Sequence, residues 1–165
     1  MARFRAAILV VSDRASAGRM EDRSGPQAAA MLEPLAGACQ TAIVPDDAAQ
    51  IRSRLLAWCE EGVDVILTLG GTGLSPRDVT PEATRSVIER ELPALPLALM
   101  VKGLAATPRA MLSRAVAGVR GRSLIVNLPG SPSAVRESVE YLRDVLPHAV
   151  EMIHGGGHPE SEPPP

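Results

Sequence analysis

The segment Gly70-Gly71-Thr72-Gly73-Leu74-Ser75-Pro76-Arg77-Asp78 packs three glycines, two hydroxyls, an arginine and an aspartate directly behind the apolar stretch Val63 to Leu69. It runs on into Val79-Thr80-Pro81-Glu82, where Thr80 suits an N-cap and Pro81 the first helical position, at which a missing N–H costs nothing. A strand, a glycine loop and a helix start, in that order, form a concave anion site. Backbone N–H groups and the positive end of the helix dipole point the same way. This order constrains the fold more than any other feature, because it belongs to sheets whose strands feed helices.

The rest of the chain repeats the alternation. Ala6 to Val11 is a continuous apolar run, expected as a buried strand, and ends in the polar loop Ser12-Asp13-Arg14. A helix is expected from Pro26, with Ala28, Met31, Leu32 and Leu35 on one face and Gly37 closing it. Thr41 to Val44 reads as a second strand ending in Pro45-Asp46-Asp47, followed by a helix with Ile51, Leu55 and Cys59 inward and Trp58 partly so. After the glycine loop a helix is expected from Pro81 to about Glu91. Pro93 and Pro96 interrupt the next stretch, with a further helix after Pro96 and a turn or helix start at Thr107-Pro108. Ala115 to Gly121 suggests an extended ribbon and Ser123 to Leu128 a last strand, ending in Pro129-Gly130-Ser131-Pro132. Val135, Val139, Leu142, Leu146 and Ala149 mark one final helix. The expected class is α/β: three layers, with a mostly parallel twisted sheet and helices on both faces. Residues 1–154 form one domain in this reading, and 155–165 a flexible Gly/Pro-rich tail.

Composition narrows the function. Apolar residues make up 45% of the chain but aromatics only 2%, so the core must be built from Ala, Val, Leu and Ile, as suits parallel sheets. Few aromatics and a net charge of −2 without a basic block argue against nucleic-acid and membrane-surface partners. No signal peptide is visible, and Leu92 to Val101 is too short to span a bilayer, so the expected location is cytoplasmic. Cys39 and Cys59 read as buried thiols. His154 and His158 flank a triple glycine, a weak metal signal beside the tail reading.

In open α/β sheets, ligands bind outside the carboxyl ends of the strands. Aspartates recur at these ends. Asp46 and Asp78, set opposite an anion-binding loop, suit Mg²⁺, which takes one or two carboxylates plus phosphate oxygens and waters. Either Asp46 or Asp47 also fits a helix N-cap, and Asp78 fits a turn-stabilising role, bonded to the Thr80 N–H. The glycines let phosphates approach the backbone; Thr72 and Ser75 offer hydroxyls and Arg77 a guanidinium. Ser113-Arg114 is either a ligand contact or a surface pair. Pro129-Gly130-Ser131-Pro132 is either a second anion site or a stiff turn.

These residues together resemble the molybdopterin-binding family of molybdenum-cofactor biosynthesis, including the molybdopterin adenylyltransferases and the B-type biosynthesis proteins. The resemblance rests on Val11 to Arg14, Val44 to Asp47, Leu69 to Gly73, Pro76 to Thr84, Ala110 to Arg114 and Ile125 to Pro132, and spans Ala6 to about His154. It implies transfer of AMP from ATP to the terminal phosphate of molybdopterin with release of pyrophosphate. Asp46 and Asp78 match the family's catalytic acids and would hold Mg²⁺. Ser12, Asp13, Gly70, Gly71, Thr72, Gly73, Ser75, Arg77, Pro129, Gly130 and Ser131 would bind substrate and phosphate, and Ser113 and Arg114 would lie near the pterin. The resemblance further implies a homotrimer and handover to a protein that inserts molybdenum. A non-catalytic pterin-binding carrier or scaffold of the same family is the alternative.

Overall fold

The buried apolar runs become the strands of a computed structural model that describes residues 3–156. Its strands are β1 (Phe4–Val11), β2 (Ala36–Val44), β3 (Val65–Leu69), β4 (Arg90–Glu91), β5 (Ala117–Arg120) and β6 (Ser123–Leu128). They form one sheet in the order β2-β1-β3-β6-β5-β4. The first four strands in that order run parallel, and β5 and β4 extend the sheet antiparallel, each to its neighbour. β1 is continued to β2 on one side and paired with β3 on the other, so the strand order reverses between β1 and β3, where α/β sheets open a crevice.

The helices are α1 (Asp13–Ser16), α2 (Ser24–Leu32), α3 (Ala48–Glu60), α4 (Thr80–Arg85), α5 (Ala94–Leu104), α6 (Pro132–Leu142) and α7 (Leu146–Ile153), with a 3-10 helix at Pro108–Leu112. Side chains alternate across a strand, and the two cores follow that period. Ala6, Ile8 and Val10 of β1, with Val65, Leu67 and Leu69 of β3, pack under α2, α6 and α7. Ala7, Leu9 and Val11, with Ile66 and Ile125, pack under Ile51, Leu55 and Trp58 of α3 and Ala83 of α4. This is the expected three-layer α/β arrangement. No described helix is long and apolar enough to cross a membrane.

Several boundaries differ from the sequence reading. β2 starts at Ala36, so Gly37 is a strand residue rather than a helix stop; pairing with β1 from Phe4 onward outweighs its poor strand propensity. Trp58 is fully buried, whereas Cys59 is only partly so, because the Trp58 indole N–H finds Gln40 Oε1 at 3.1 Å. α4 ends at Arg85, well short of Glu91, whose stretch is taken by β4. α5 begins before Pro96, which sits harmlessly in its first turn. The final helical pattern is two helices. Pro147, near the start of α7, cannot donate the backbone bond that would continue α6. Gly155 and Gly156 are described, Gly155 at φ +83° and Gly156 donating to Glu151 O at 2.8 Å; the remainder of the expected tail, His158 included, lies outside the described residues.

Asn127 joins the sheet to both neighbours. Its Oδ1 accepts the Val116 N–H at 3.1 Å, and its Nδ2 donates to Thr68 Oγ1 and Thr84 Oγ1, each at 2.9 Å. All of these groups are buried, so removing the amide strands them without water. Asn127→Ala is expected to lower unfolding free energy by about 2–4 kcal/mol in urea titrations; a loss under about 0.5 kcal/mol would contradict this role.

Candidate active site

Because β1, β2, β3 and β6 are parallel, the loops after Val11, Val44, Leu69 and Leu128 leave the same rim of the sheet. Side chains then tie the loops together. The Asp46 N–H donates to Asp13 Oδ1 at 3.0 Å, and the Asp13 N–H donates to Asp46 Oδ2 at 2.9 Å. Each aspartate thus satisfies the other's backbone. Arg77 reaches from the glycine loop and grips Asp13 through Nε at 3.0 Å and Nη2 at 2.8 Å. The Asp46 N–H, and then Arg77, hold the Asp13 carboxyl below the usual carboxylate range. The Asp46 carboxyl is pushed above that range, first by burial; the negative charges of Asp13 and Asp78 add to this, against the lowering effect of the Asp13 N–H.

Asp47 caps α3 by accepting the Gln50 N–H at 2.9 Å, which leaves Asp46 for the rim. Asp78 Oδ2 accepts the Ser75 N–H at 3.0 Å, not the Thr80 N–H. The latter donates to Gly71 O at 3.2 Å. Thr80 is correspondingly not the N-cap: Val79 is, without a side-chain bond, and Thr80 is the first helical residue with its hydroxyl turned inward. The glycine loop lies between the two acids. A Cβ on residue 71 would stand 3.2 Å from Asp46 Oδ1, and one on residue 73 would stand 2.9 Å from Asp78 Oδ2. Glycine at both positions keeps the space beside each carboxylate open.

Arg114 braces this loop. Its Nε donates to Gly73 O and its Nη2 to Asp78 O, both at 2.7 Å, while Nη1 meets Glu82 Oε1. Its own N–H donates to Thr72 O at 2.9 Å. The bond from Arg114 holds the Glu82 carboxyl below its usual range. The guanidinium is therefore spent on the backbone that carries Asp78. Ser113 Oγ accepts the Ala115 N–H at 3.2 Å, and Ser131 Oγ caps α6.

Two hollows flank the rim. One, of about 350 Å³, is mainly apolar: Leu99 and Met100 of α5 and Leu112 of the 3-10 helix wall it, and Gly73, Ser113 and Ser131 border it. The other, of about 570 Å³, is more polar and takes in Ser12, Asp22, Ser24, Gly130 and Ser131. Ser131 lines both. Asp46 and Asp78 line neither and sit beside the glycine loop. Ser12, Asp13, Gly70 to Gly73, Ser75, Arg77 and the Pro129 to Ser131 turn are thus gathered at one rim, with Ser113 on the wall of the apolar hollow. The sequence reading missed the α5 wall, the Asp22 and Ser24 side, and Glu82 as the partner of Arg114. The polar run Asp22-Arg23-Ser24 leading into α2 was the one available signal.

A family model described as "Probable molybdopterin binding domain" matches residues 7–148. The chain is 40% identical over 154 residues to a molybdopterin adenylyltransferase of Helicobacter pylori, covering 90% of this chain and 86% of that one. It is 37% identical over 158 residues to gephyrin of Dictyostelium discoideum, covering 89% of this chain. Some relatives are much longer: the chain spans 22% of that gephyrin, and 25% and 50% of two others. The solved structure of the molybdopterin biosynthesis Mog protein from Mycobacterium ulcerans superposes with a TM-score of 0.88 at 40% identity, covering 94% of this chain and 99% of that one.

Lysine in place of Arg114 keeps the charge but loses the planar fork that spans two carbonyls. Arg114→Lys is expected to fold and to lose about 1–3 kcal/mol in chemical denaturation. An unchanged midpoint would show that the brace carries no stability.

Proposed function

The chain belongs to the molybdopterin-binding-domain family of molybdenum-cofactor biosynthesis, and from that premise we propose that it is a molybdopterin adenylyltransferase. In this reading the terminal phosphate of molybdopterin attacks the α-phosphorus of ATP, the bond to the β-phosphate breaks, and pyrophosphate leaves. Phosphoryl transfer asks the protein for positioning and charge compensation more than for covalent chemistry.

The observation that carries the proposal is the meeting of two unlike hollows at Ser131, beside two carboxylates and an open glycine loop. A reaction that joins two large molecules through a phosphate needs such a junction. The mainly apolar hollow walled by Leu99 and Met100 suits the flat pterin, with Ser113 as a polar contact. The cleft bordered by Asp22, Ser24 and Ser12 offers acceptors and hydroxyls to a ribose and a purine amino group. Between them the amides of Gly70 to Gly73, the Thr72 and Ser75 hydroxyls and the Gly130-Ser131 turn would receive the phosphates. Arg77 would add positive charge at the rim while its fork holds Asp13. Arg114 would act indirectly, by fixing the backbone of Asp78.

The residues present fit Mg²⁺. The Asp46 carboxylate is crowded by two further negative charges, and the missing side chains at 71 and 73 leave room beside both acids. Among the described residues no group of three or more His, Cys, Asp or Glu side chains forms a metal cage, so in this reading substrate phosphates and waters complete the cation's shell. Asp46 and Asp78 would hold it, and its chemistry when bound is neutralisation of phosphate charge. Asp13 would keep Asp46 in place through the paired backbone bonds. A homotrimer, a cytoplasmic location and handover of the product to a molybdenum-inserting protein complete the proposal. Exposed Leu97, Val101 and Met111 on the α5 side support an assembly in which apolar surface is covered.

Incubation with molybdopterin, ATP and Mg²⁺ is expected to release pyrophosphate. Asp78→Asn is expected to slow release by about 10²–10³-fold while pterin binding persists. Normal turnover by that variant would overturn the role of Asp78; pterin binding without turnover by the unmodified protein would favour the carrier alternative.

A further inference from the structure

We infer that the Thr80 hydroxyl is a third protein oxygen of the cation site, alongside Asp46 and Asp78. The inference rests on the cation site proposed above and assigns a group that neither the strand-end pattern nor the family resemblance singled out. Among the described residues, Thr80 Oγ1 is the one buried side-chain polar atom without a hydrogen-bond partner. Other fully buried hydroxyls are engaged. Thr68 and Thr84 bond Asn127, Ser123 bonds Val63 O, and Ser24 bonds Gly130 O. An orphaned buried hydroxyl is a standing cost to stability, so its presence calls for a partner that the protein chain does not supply.

The place of the orphan identifies the kind of partner. The Thr80 N–H is anchored to Gly71 O at 3.2 Å, which sets the hydroxyl over residue 71. A Cβ there would stand 2.3 Å from Thr80 Oγ1 and 3.2 Å from Asp46 Oδ1. The hydroxyl and the carboxylate oxygen therefore both lie beside the side-chain position of residue 71, which a glycine at φ +68° leaves without a Cβ. Asp46 spends Oδ2 on the Asp13 N–H and leaves Oδ1 toward that position. A hydroxyl oxygen and a carboxylate oxygen beside the same residue are hard ligands, and hard divalent cations bind through such oxygens. Neutral Thr80 adds an oxygen without a third negative charge beside Asp46 and Asp78.

The test pairs metal binding with stability in the full chain. Free Mn²⁺ is followed by electron paramagnetic resonance during titration, without nucleotide or pterin, and unfolding midpoints are measured in EDTA. Thr80→Val removes the hydroxyl at constant shape. It is expected to raise the unfolding midpoint in EDTA and to weaken Mn²⁺ binding at least about tenfold, since even second-shell partners of a metal cost that much. Thr80→Ser should bind Mn²⁺ as the unmodified chain does, and Thr80→Ala repeats the loss of affinity should the valine variant not fold. Unaltered Mn²⁺ affinity in Thr80→Val overturns the inference and leaves the Asp46–Asp78 site standing. A lower midpoint in EDTA with unaltered affinity assigns the hydroxyl to a bridging water and overturns it too. No Mn²⁺ binding by the unmodified chain overturns the cation site itself.

Discussion

The rim can hold its loops only because residue 70 has no side chain. Gly70 leaves β3 at φ +100°, and a Cβ there would stand 2.6 Å from the carbonyl oxygen of Val11 and 3.8 Å from the Cα of Gly130. Its N–H donates to Leu128 O at 3.1 Å. The ends of β1, β3 and β6 therefore meet backbone to backbone at one point. Any other residue would be strained by the dihedral and would collide with a carbonyl that cannot move without breaking the sheet. From this contact follow the path of the glycine loop, the reach of Arg77 to Asp13 and the meeting of the two hollows at Ser131.

Around that point, charge is arranged rather than merely concentrated. Arg77 is matched to Asp13, and Arg114 to Glu82 and two loop carbonyls. The two ion pairs themselves are part-exposed and add little stability; the brace of Arg114 rests on its bonds to the loop carbonyls. Among the described residues neither Asp46 nor Asp78 has a basic side chain bonded to it, and Asp46 is pushed up by burial and by its acidic neighbours. Carboxylates without a bonded basic side chain, open glycines and an orphaned hydroxyl suit a phosphate-bound cation.

The sequence made the central sheet plain because β1, β3 and β6 are buried on both faces almost throughout and read as mainly apolar runs. The β2 edge was half-hidden: it is exposed on one side, and its Ala-Gly-Ala start carries no pattern. α5 was obscured for a related reason, since none of its residues is fully buried: Leu95 and Leu99 only brush the core, and Leu99 and Met100 wall a hollow. The α6–α7 break was invisible to periodicity because both helices present the same face to the sheet, as Val139 and Leu146 show. At the site, the strand-end positions of residues such as Asp46 and Gly70 were legible. Arg114 was singled out as a ligand contact or a surface residue, but its bracing of the loop was not legible, because its partners are carbonyls 36 and 41 residues away. Thr80 looked like a cap for the same reason that any threonine before a helical proline does, and only the fold shows its hydroxyl pointing inward.

The most direct test is diffraction from crystals grown with Mn²⁺ and a non-hydrolysable ATP analogue, at a wavelength where manganese scatters anomalously. The account predicts an anomalous peak within about 2.3 Å of a carboxylate oxygen of both Asp46 and Asp78, in contact with phosphate oxygens beside Gly71. A metal peak bound to the nucleotide but away from both carboxylates would contradict it.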